Sequence, residues 1–210
     1  MGGASVTHEV PTPHGPARIT CHSARDPRAV LLLGHGAGGG VGAPDLAGAT
    51  LAALAVEVTV VLVEQPYRVA GRRAPAAAPQ LDTAWLAVVE HARARLARNG
   101  WRRLPLLFGG RSSGARVACR TSAAGDAAGV LCLAFPVHPP GKPEKSRLPE
   151  LAAPTVPVLV VQGLRDPFGV PEAAPGRRVV LLRGDHSLKS DMPGLRTAVT
   201  DWLPTVLGDA

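Results

Sequence analysis

Ser112 stands in Gly110-Arg111-Ser112-Ser113-Gly114, a G-x-S-x-G pattern, and the chemistry open to such a serine is nucleophilic attack on an acyl carbon. The apolar run Leu104-Pro105-Leu106-Leu107-Phe108 precedes it and the helix-like Ala115-Arg116-Val117-Ala118-Cys119 follows. The spacing predicts a strand, a tight glycine turn and a helix, with Ser112 at the apex and its hydroxyl raised above a sheet. A serine hydroxyl is a weak nucleophile, so it needs a histidine base and an acid to orient that base. In sites of this strand-turn-helix kind the order along the chain is serine, acid, histidine. His186, the last histidine, follows an apolar run in Arg183-Gly184-Asp185-His186-Ser187-Leu188. Asp166 follows the preceding run, in Gln162-Gly163-Leu164-Arg165-Asp166-Pro167-Phe168-Gly169. Both fall at carboxyl ends of expected strands, on the edge that carries Ser112. Asp185 is the rival acid, but as the sequence neighbour of His186 it is poorly placed to reach that ring.

Acyl transfer also needs donors for the oxyanion. One is the backbone N–H after the nucleophile, here Ser113; the second is expected from the loop Gly34-His35-Gly36-Ala37-Gly38-Gly39-Gly40, at Ala37. The alternative reading of that loop, a phosphate cradle, lacks a G-K-[ST] ending and the acidic partner of a dinucleotide site. His35 is read as ordering the loop, since chain order assigns the base to His186. Substrate contacts are expected from Tyr67, Arg68 and Arg72, with Arg73 beside them, in the loop Gln65–Arg73. Its arginines either clamp a carboxylate or phosphate or form a solvated basic loop. Phe135 and Phe168 are expected to line the acyl pocket with Tyr67, while Phe108, Trp85 and Trp202 read as core. Pro136–Lys142, where a lid could be inserted, is short and proline-rich, so the site is expected to be open, with His138 on its rim.

The elements that must position these residues are six apolar runs, at Ala29–Leu33, Val56–Val63, Leu104–Phe108, Val130–Phe135, Val156–Val161 and Arg178–Leu182. Most are continuously apolar, as parallel strands covered on both faces are. Helical patterns lie between them at Asp45–Leu54, Gln80–Asn99, Ala115–Ser122 and Pro193–Val206; Ala74–Pro79 reads as an active-site loop. Alternation of strand and helix predicts an α/β, doubly wound, mostly parallel sheet. Val6–Val10 and Ala17–Cys21, around Pro13-His14-Gly15, add an antiparallel hairpin at its edge.

At 210 residues the chain fits one domain, residues 1–210. No run of 18 apolar residues suits a membrane span, and Met1-Gly2-Gly3-Ala4-Ser5 has neither the basic region nor the apolar core of a signal peptide, so a cytoplasmic protein is expected. Cys21, Cys119 and Cys132 have no metal-ligand spacing and read as reduced core residues. The charge of +7 is spread over scattered arginines, with aromatics at 3%, which argues against a nucleic-acid partner.

Taken together, the Gly34–Gly39, Tyr67–Arg73, Gly109–Arg116, Gln162–Gly169 and Asp185–Ser187 segments resemble small α/β-hydrolases of the dienelactone-hydrolase superfamily, in the branch that includes testis-expressed protein 30 and bacterial relatives. The resemblance runs from Leu32 to Trp202. It implies an α/β-hydrolase fold with Ser112, Asp166 and His186 as the triad, and the short Pro136–Lys142 segment adds the expectation of no lid domain. Dienelactone hydrolases proper use cysteine where this chain has Ser112, so their lactone substrate does not carry over. The resulting expectation is a serine hydrolase acting on a small-molecule carboxylic ester or thioester, with no metal or organic cofactor. A non-catalytic hydrolase-like interaction module is the alternative of another class, and acyl transfer or cyclisation by the same triad is a third. Acyl group, leaving group, pathway and oligomeric state stay open.

Overall fold

The computed structural model describes residues 5–208; the Met1–Ala4 part of the stretch read for leader features lies outside them. Eight strands form one sheet: β1 (Val6–Val10), β2 (Ala17–His22), β3 (Ala29–Gly34), β4 (Val58–Glu64), β5 (Leu106–Arg111), β6 (Gly129–Leu133), β7 (Val158–Gly163) and β8 (Arg177–Leu182). Their order is β1-β2-β4-β3-β5-β6-β7-β8. β2 pairs antiparallel with both β1 and β4, Val10 facing Ala17 and Arg18 facing Glu64; every pairing from β4 through β8 is parallel. The expected edge hairpin on a mostly parallel sheet is thus what forms.

Side chains alternate across the strands, so each strand feeds both faces. Leu31 and Leu33 of β3 enter a core with Leu46 and Ala49 of α1 (Pro44–Ala55) and with Leu195, Val199 and Trp202 of α6 (Met192–Leu207). Val30 and Leu32 enter the opposite core, with Trp85 and Val88 of a 21-residue helix (Ala78–Arg98) and with Val117 of the helix after Ser112 (Ser113–Thr121). Two short helices complete the set. Among the described residues the six are, in chain order, α1, α2 (Pro66–Val69), α3 (Ala78–Arg98), α4 (Ser113–Thr121), α5 (Leu148–Ala152) and α6. The segment between β6 and β7 carries α5 and no lid domain. Among the described residues no helix is long and apolar enough to cross a membrane.

Element boundaries depart from apolarity where backbone chemistry intervenes. β5 starts after Pro105, which has no N–H to give a sheet although its carbonyl accepts from Val30 N–H at 3.0 Å. It then continues through Gly109 and Gly110, which carry no apolar signal, up to the residue before Ser112. β6 ends before Ala134, whose φ of 51° turns the chain. α3 begins at Ala78, so Ala78 and Pro79 of the expected loop belong to a first helical turn, where a missing N–H costs nothing. α2 and α5, at four and five residues, are too short for a periodic pattern to show.

Polar contacts lock the helical layer. Arg116 donates to both carboxylate oxygens of Glu150 at 2.8 and 2.6 Å, and Arg120 to both of Asp82 at 2.8 and 2.6 Å, while Arg120 also reaches Glu150 at 2.9 Å. Two planar forks thereby join α3, α4 and α5. Cys119 of α4 and Cys132 of β6 are buried in the core between that layer and the sheet, Cys21 is partly exposed, and all three are free thiols.

Candidate active site

The turn between β5 and α4 is built by close approach. A Cβ on Gly110 would stand 2.6 Å from the Gly34 carbonyl oxygen, and one on Gly114 would overlap the Gly34 backbone. Only glycine at both positions lets the turn press against the end of β3. Between them Ser112 takes φ 52° and ψ −106°, and its N–H donates to Leu133 O at 2.9 Å, fastening the turn to β6.

The carboxyl ends of β7 and β8 bring the other two groups to this apex. His186 Nε2 lies 3.0 Å from Ser112 Oγ, and His186 Nδ1 lies 2.8 Å from Asp166 Oδ2. The Asp166 side chain is fully buried and that of His186 is 16% exposed. In the tautomer these partners select, Nδ1–H donates to the carboxylate and Nε2 accepts the serine proton, so the ring is aimed as a base. Phe168 packs on the imidazole with ring centroids 4.3 Å apart, and its N–H donates to Asp166 Oδ1 at 2.9 Å. Asp185 is exposed and occupied with Ser187, accepting from its N–H at 2.9 Å and its hydroxyl at 2.7 Å. It does not compete for the ring.

Sequence reasoning missed Gln162, the last side chain before the Gly163 turn on β7. It is fully buried, and its Nε2 lies 2.8 Å from Asp166 Oδ2, 2.8 Å from Gly169 O and 3.1 Å from Phe135 O. Three acceptors around one nitrogen fix which way the amide points. The signal available was a lone polar residue closing the apolar run Val158-Leu159-Val160-Val161. Arg111 and Asp45 were also missed: Arg111 Nε is 2.8 Å from Asp45 Oδ2, and Arg111 Nη2 donates to the His186 carbonyl at 3.2 Å.

The Gly34–Gly40 loop is held by His35 and Tyr67. Gln65 N–H donates to His35 Nε2 at 3.0 Å, which leaves Nδ1–H to donate to Gly36 O at 2.8 Å. Burial holds this imidazole below the ordinary histidine range, against the pull of the Gly36 bond. His35 is therefore a neutral brace, as expected. Among the described residues the Ala37 N–H makes no hydrogen bond, and the Ser113 N–H lies in the first turn of α4, where no intrahelical acceptor exists. Both donors remain available at the apex loops.

The expected substrate contacts divide. Tyr67 is buried, and its hydroxyl donates to Ala37 O at 2.9 Å, so it braces the loop instead of presenting an open wall. Phe135 is a correction: with no exposed surface it belongs to the core on the α3 side, because the turn at Ala134 sends the ring inward. Arg68 is half-buried and donates to Arg72 O at 3.3 Å, stabilising its own loop, while Arg72 and Arg73 are exposed. Phe168 stays partly exposed beside His186. His138 bonds Pro139 O through Nδ1 at 2.9 Å and packs on the Asp166–Gly169 turn.

Residues 27–198 match the family described as alpha/beta hydrolase domain. No curated protein matches the chain. Among solved structures, Est1E from Butyrivibrio proteoclasticus superposes with a TM-score of 0.75 at 12% identity, covering 100% of both chains. An α/β serine hydrolase without lid from Xanthomonas campestris gives 0.71 at 21% identity over 97% of each chain. Dienelactone hydrolase from Anabaena variabilis gives 0.70 at 14% identity, over 96% of this chain and 95% of that one. These likenesses speak to the fold, and the family match spans most of the sequence: the chain belongs to the alpha/beta hydrolase family.

Proposed function

We propose that this protein is a serine hydrolase that cleaves a small-molecule carboxylic ester or thioester through an acyl-enzyme on Ser112. The observation that carries the reading is the hydrogen-bonded line Ser112–His186–Asp166, at 3.0 and 2.8 Å. His186 Nε2 takes the Ser112 proton as Oγ attacks the acyl carbon, and the carbonyl π electrons move onto its oxygen. The Ser113 and Ala37 N–H groups receive that oxyanion. As the tetrahedral intermediate collapses, the bond to the leaving group breaks and His186 returns the proton to the departing oxygen or sulfur. Water, deprotonated by the same imidazole, then attacks the acyl-enzyme carbonyl; as the second tetrahedral intermediate collapses the bond to Ser112 Oγ breaks, His186 returns the proton to Oγ, and the acid leaves. Asp166 holds the ring in place and stabilises the imidazolium.

Incubation with a fluorophosphonate probe, together with turnover of p-nitrophenyl esters and acyl-thioesters of graded chain length, tests this reading. Stoichiometric labelling lost in Ser112→Ala, with turnover falling by several orders of magnitude, is the expected result. Folded protein that takes no label and turns over no ester would favour the non-catalytic module. Labelling with acyl-enzyme that decays only on adding an alcohol or amine would favour a transferase.

A further inference from the structure

We propose that Arg111, the residue immediately before the nucleophile, is a positioning residue that ties the loop bearing His186 and the N-terminus of α1 to the end of β5. This rests on the serine-hydrolase reading. Arg111 is the last residue of β5, and its guanidinium works in three directions at once. Nε lies 2.8 Å from Asp45 Oδ2, close enough for charge pairing though off the hydrogen-bond line. Nη2 donates to the backbone carbonyl of His186 at 3.2 Å. Nη1 packs against Gly36, where an added Cβ would stand 2.7 Å away. The nucleophile's strand, the base's loop and the loop carrying the Ala37 N–H therefore meet on one side chain.

The counter-charge is buried more deeply than the guanidinium, whose side chain is 22% exposed. The Asp45 side chain is 1% exposed, and its other oxygen accepts from Leu46 N–H at 2.9 Å in the first turn of α1. Burial disfavours that carboxylate and the guanidinium offsets part of the penalty, so the carboxylate depends on its partner. The arrangement matters for the reaction because the Asp166 bond fixes the ring of His186, whereas the height of that ring over Ser112 depends on its backbone. That backbone runs between Gly184 at φ 118° and Leu188 at φ 55°, two turns that leave the loop dependent on its anchors. A planar fork can hold a carboxylate and a carbonyl simultaneously; the point charge of lysine cannot.

The test uses the full chain and p-nitrophenyl acetate, comparing wild type with Arg111→Met, Arg111→Lys and Asp45→Asn, each checked for fold by circular dichroism. Arg111→Met is expected to lower kcat by about 10- to 100-fold with KM changed less than about twofold, since misplacing a base by a fraction of an ångström costs rate and not ground-state affinity. The rate of fluorophosphonate labelling is expected to fall by the same factor. Arg111→Lys is expected to recover part of kcat, and Asp45→Asn to lose a smaller share. An unchanged kcat in Arg111→Met overturns the proposal. So does a raised KM at unchanged kcat, which would make Arg111 a substrate contact. If Arg111→Met fails to fold, the kcat and KM of Arg111→Lys and Asp45→Asn decide by the same criteria. A wild type that neither hydrolyses esters nor takes the label sinks the hydrolase reading itself, and the Arg111 role with it; an active wild type isolates the Arg111 result.

Discussion

Ser112 carries backbone strain that the rest of the site maintains. A φ of 52° with ψ −106° is a region a residue with a Cβ rarely enters, at a cost of about 1–3 kcal/mol. Glycine relieves that strain but loses more entropy on folding, by about 0.5–1 kcal/mol. Ser112→Gly is therefore expected to be more stable than Ser112→Ala by about 1 kcal/mol in urea denaturation, with both unlabelled by a fluorophosphonate. Equal stabilities would mean that the turn is relaxed. Gln162 acts one shell further out, through the oxygen of Asp166 that also faces His186 Nδ1. Gln162→Leu removes a donor to a charged acceptor and strands the carbonyls of Phe135 and Gly169. The expected loss is about 1–3 kcal/mol of stability, with kcat on p-nitrophenyl acetate down by about tenfold or more. Full activity in a folded variant would contradict the assigned role.

At the level of elements, two charge clusters set how α3 responds to acid, with opposite mechanisms. Burial would raise the Glu150 carboxyl, but the hydrogen bonds and charges of Arg116 and Arg120 outweigh it and hold the group below its ordinary range. A depressed carboxyl contributes stability that is present above its unfolded value, about 4.3, and is lost as pH falls through the folded value. Glu150→Gln is expected to cost about 1–3 kcal/mol at pH 7 by leaving Arg116 without its carboxylate while Arg120 keeps only Asp82, and the gap from wild type is expected to narrow as pH falls below about 4.3. A gap that persists there would assign the loss to packing. At the other end of α3, His8 of β1 and His91 stand with their Nε2 atoms 3.3 Å apart, and Arg95 Nη1 is 3.5 Å from His8. Burial lowers both imidazoles, helped by Arg95 for His8 and by His8, Arg98 and Arg95 for His91. Histidines depressed in the fold take up protons more readily when unfolded. Their cost therefore sets in as pH drops below about 6.5 and is complete once the folded values are passed. The melting temperature of His8→Gln/His91→Gln is expected to fall less than that of wild type between pH 7 and pH 5, and parallel curves would remove the pair from the account.

For the molecule as a whole, the sheet divides the interior into two cores that side-chain alternation feeds equally. Phe108 lies on the α3 side, fully buried and edge-on to Trp85, with ring centroids 5.7 Å apart and an angle of 82°. It sits three residues before Arg111 on the strand that ends at the nucleophile. Phe108→Ala is expected to cost about 3–5 kcal/mol in urea denaturation, with the slope unchanged, because a core pressed against a continuous sheet has little room to collapse. A cost below about 1 kcal/mol would show that α3 can close the gap. The same rigidity lets three strand ends hold Ser112, Asp166 and His186 without a lid domain above them.

The sequence by itself determined the succession of strands and of the four longer helices along the chain, the glycine turn at Ser112 and the identity of the three residues that meet there. Each of these is written locally: continuous apolar runs mark doubly covered strands, glycines flank the apex, and acid and base follow the ends of successive strands. The side-chain neighbours of the site were decided only by the tertiary structure. Gln162, Arg111 and Asp45 act through partners 4 to 75 positions away, and no periodicity reports which acceptor a buried donor will meet. For the same reason Phe135 reads as a pocket aromatic next to a strand end, yet one turn at Ala134 puts it in the core. Tyr67 likewise reads as a wall of the site and becomes the brace of the Ala37 carbonyl once β4 and β3 are paired. Composition and spacing are properties of the chain; which groups a fold brings within 3 Å depends on how distant segments pack.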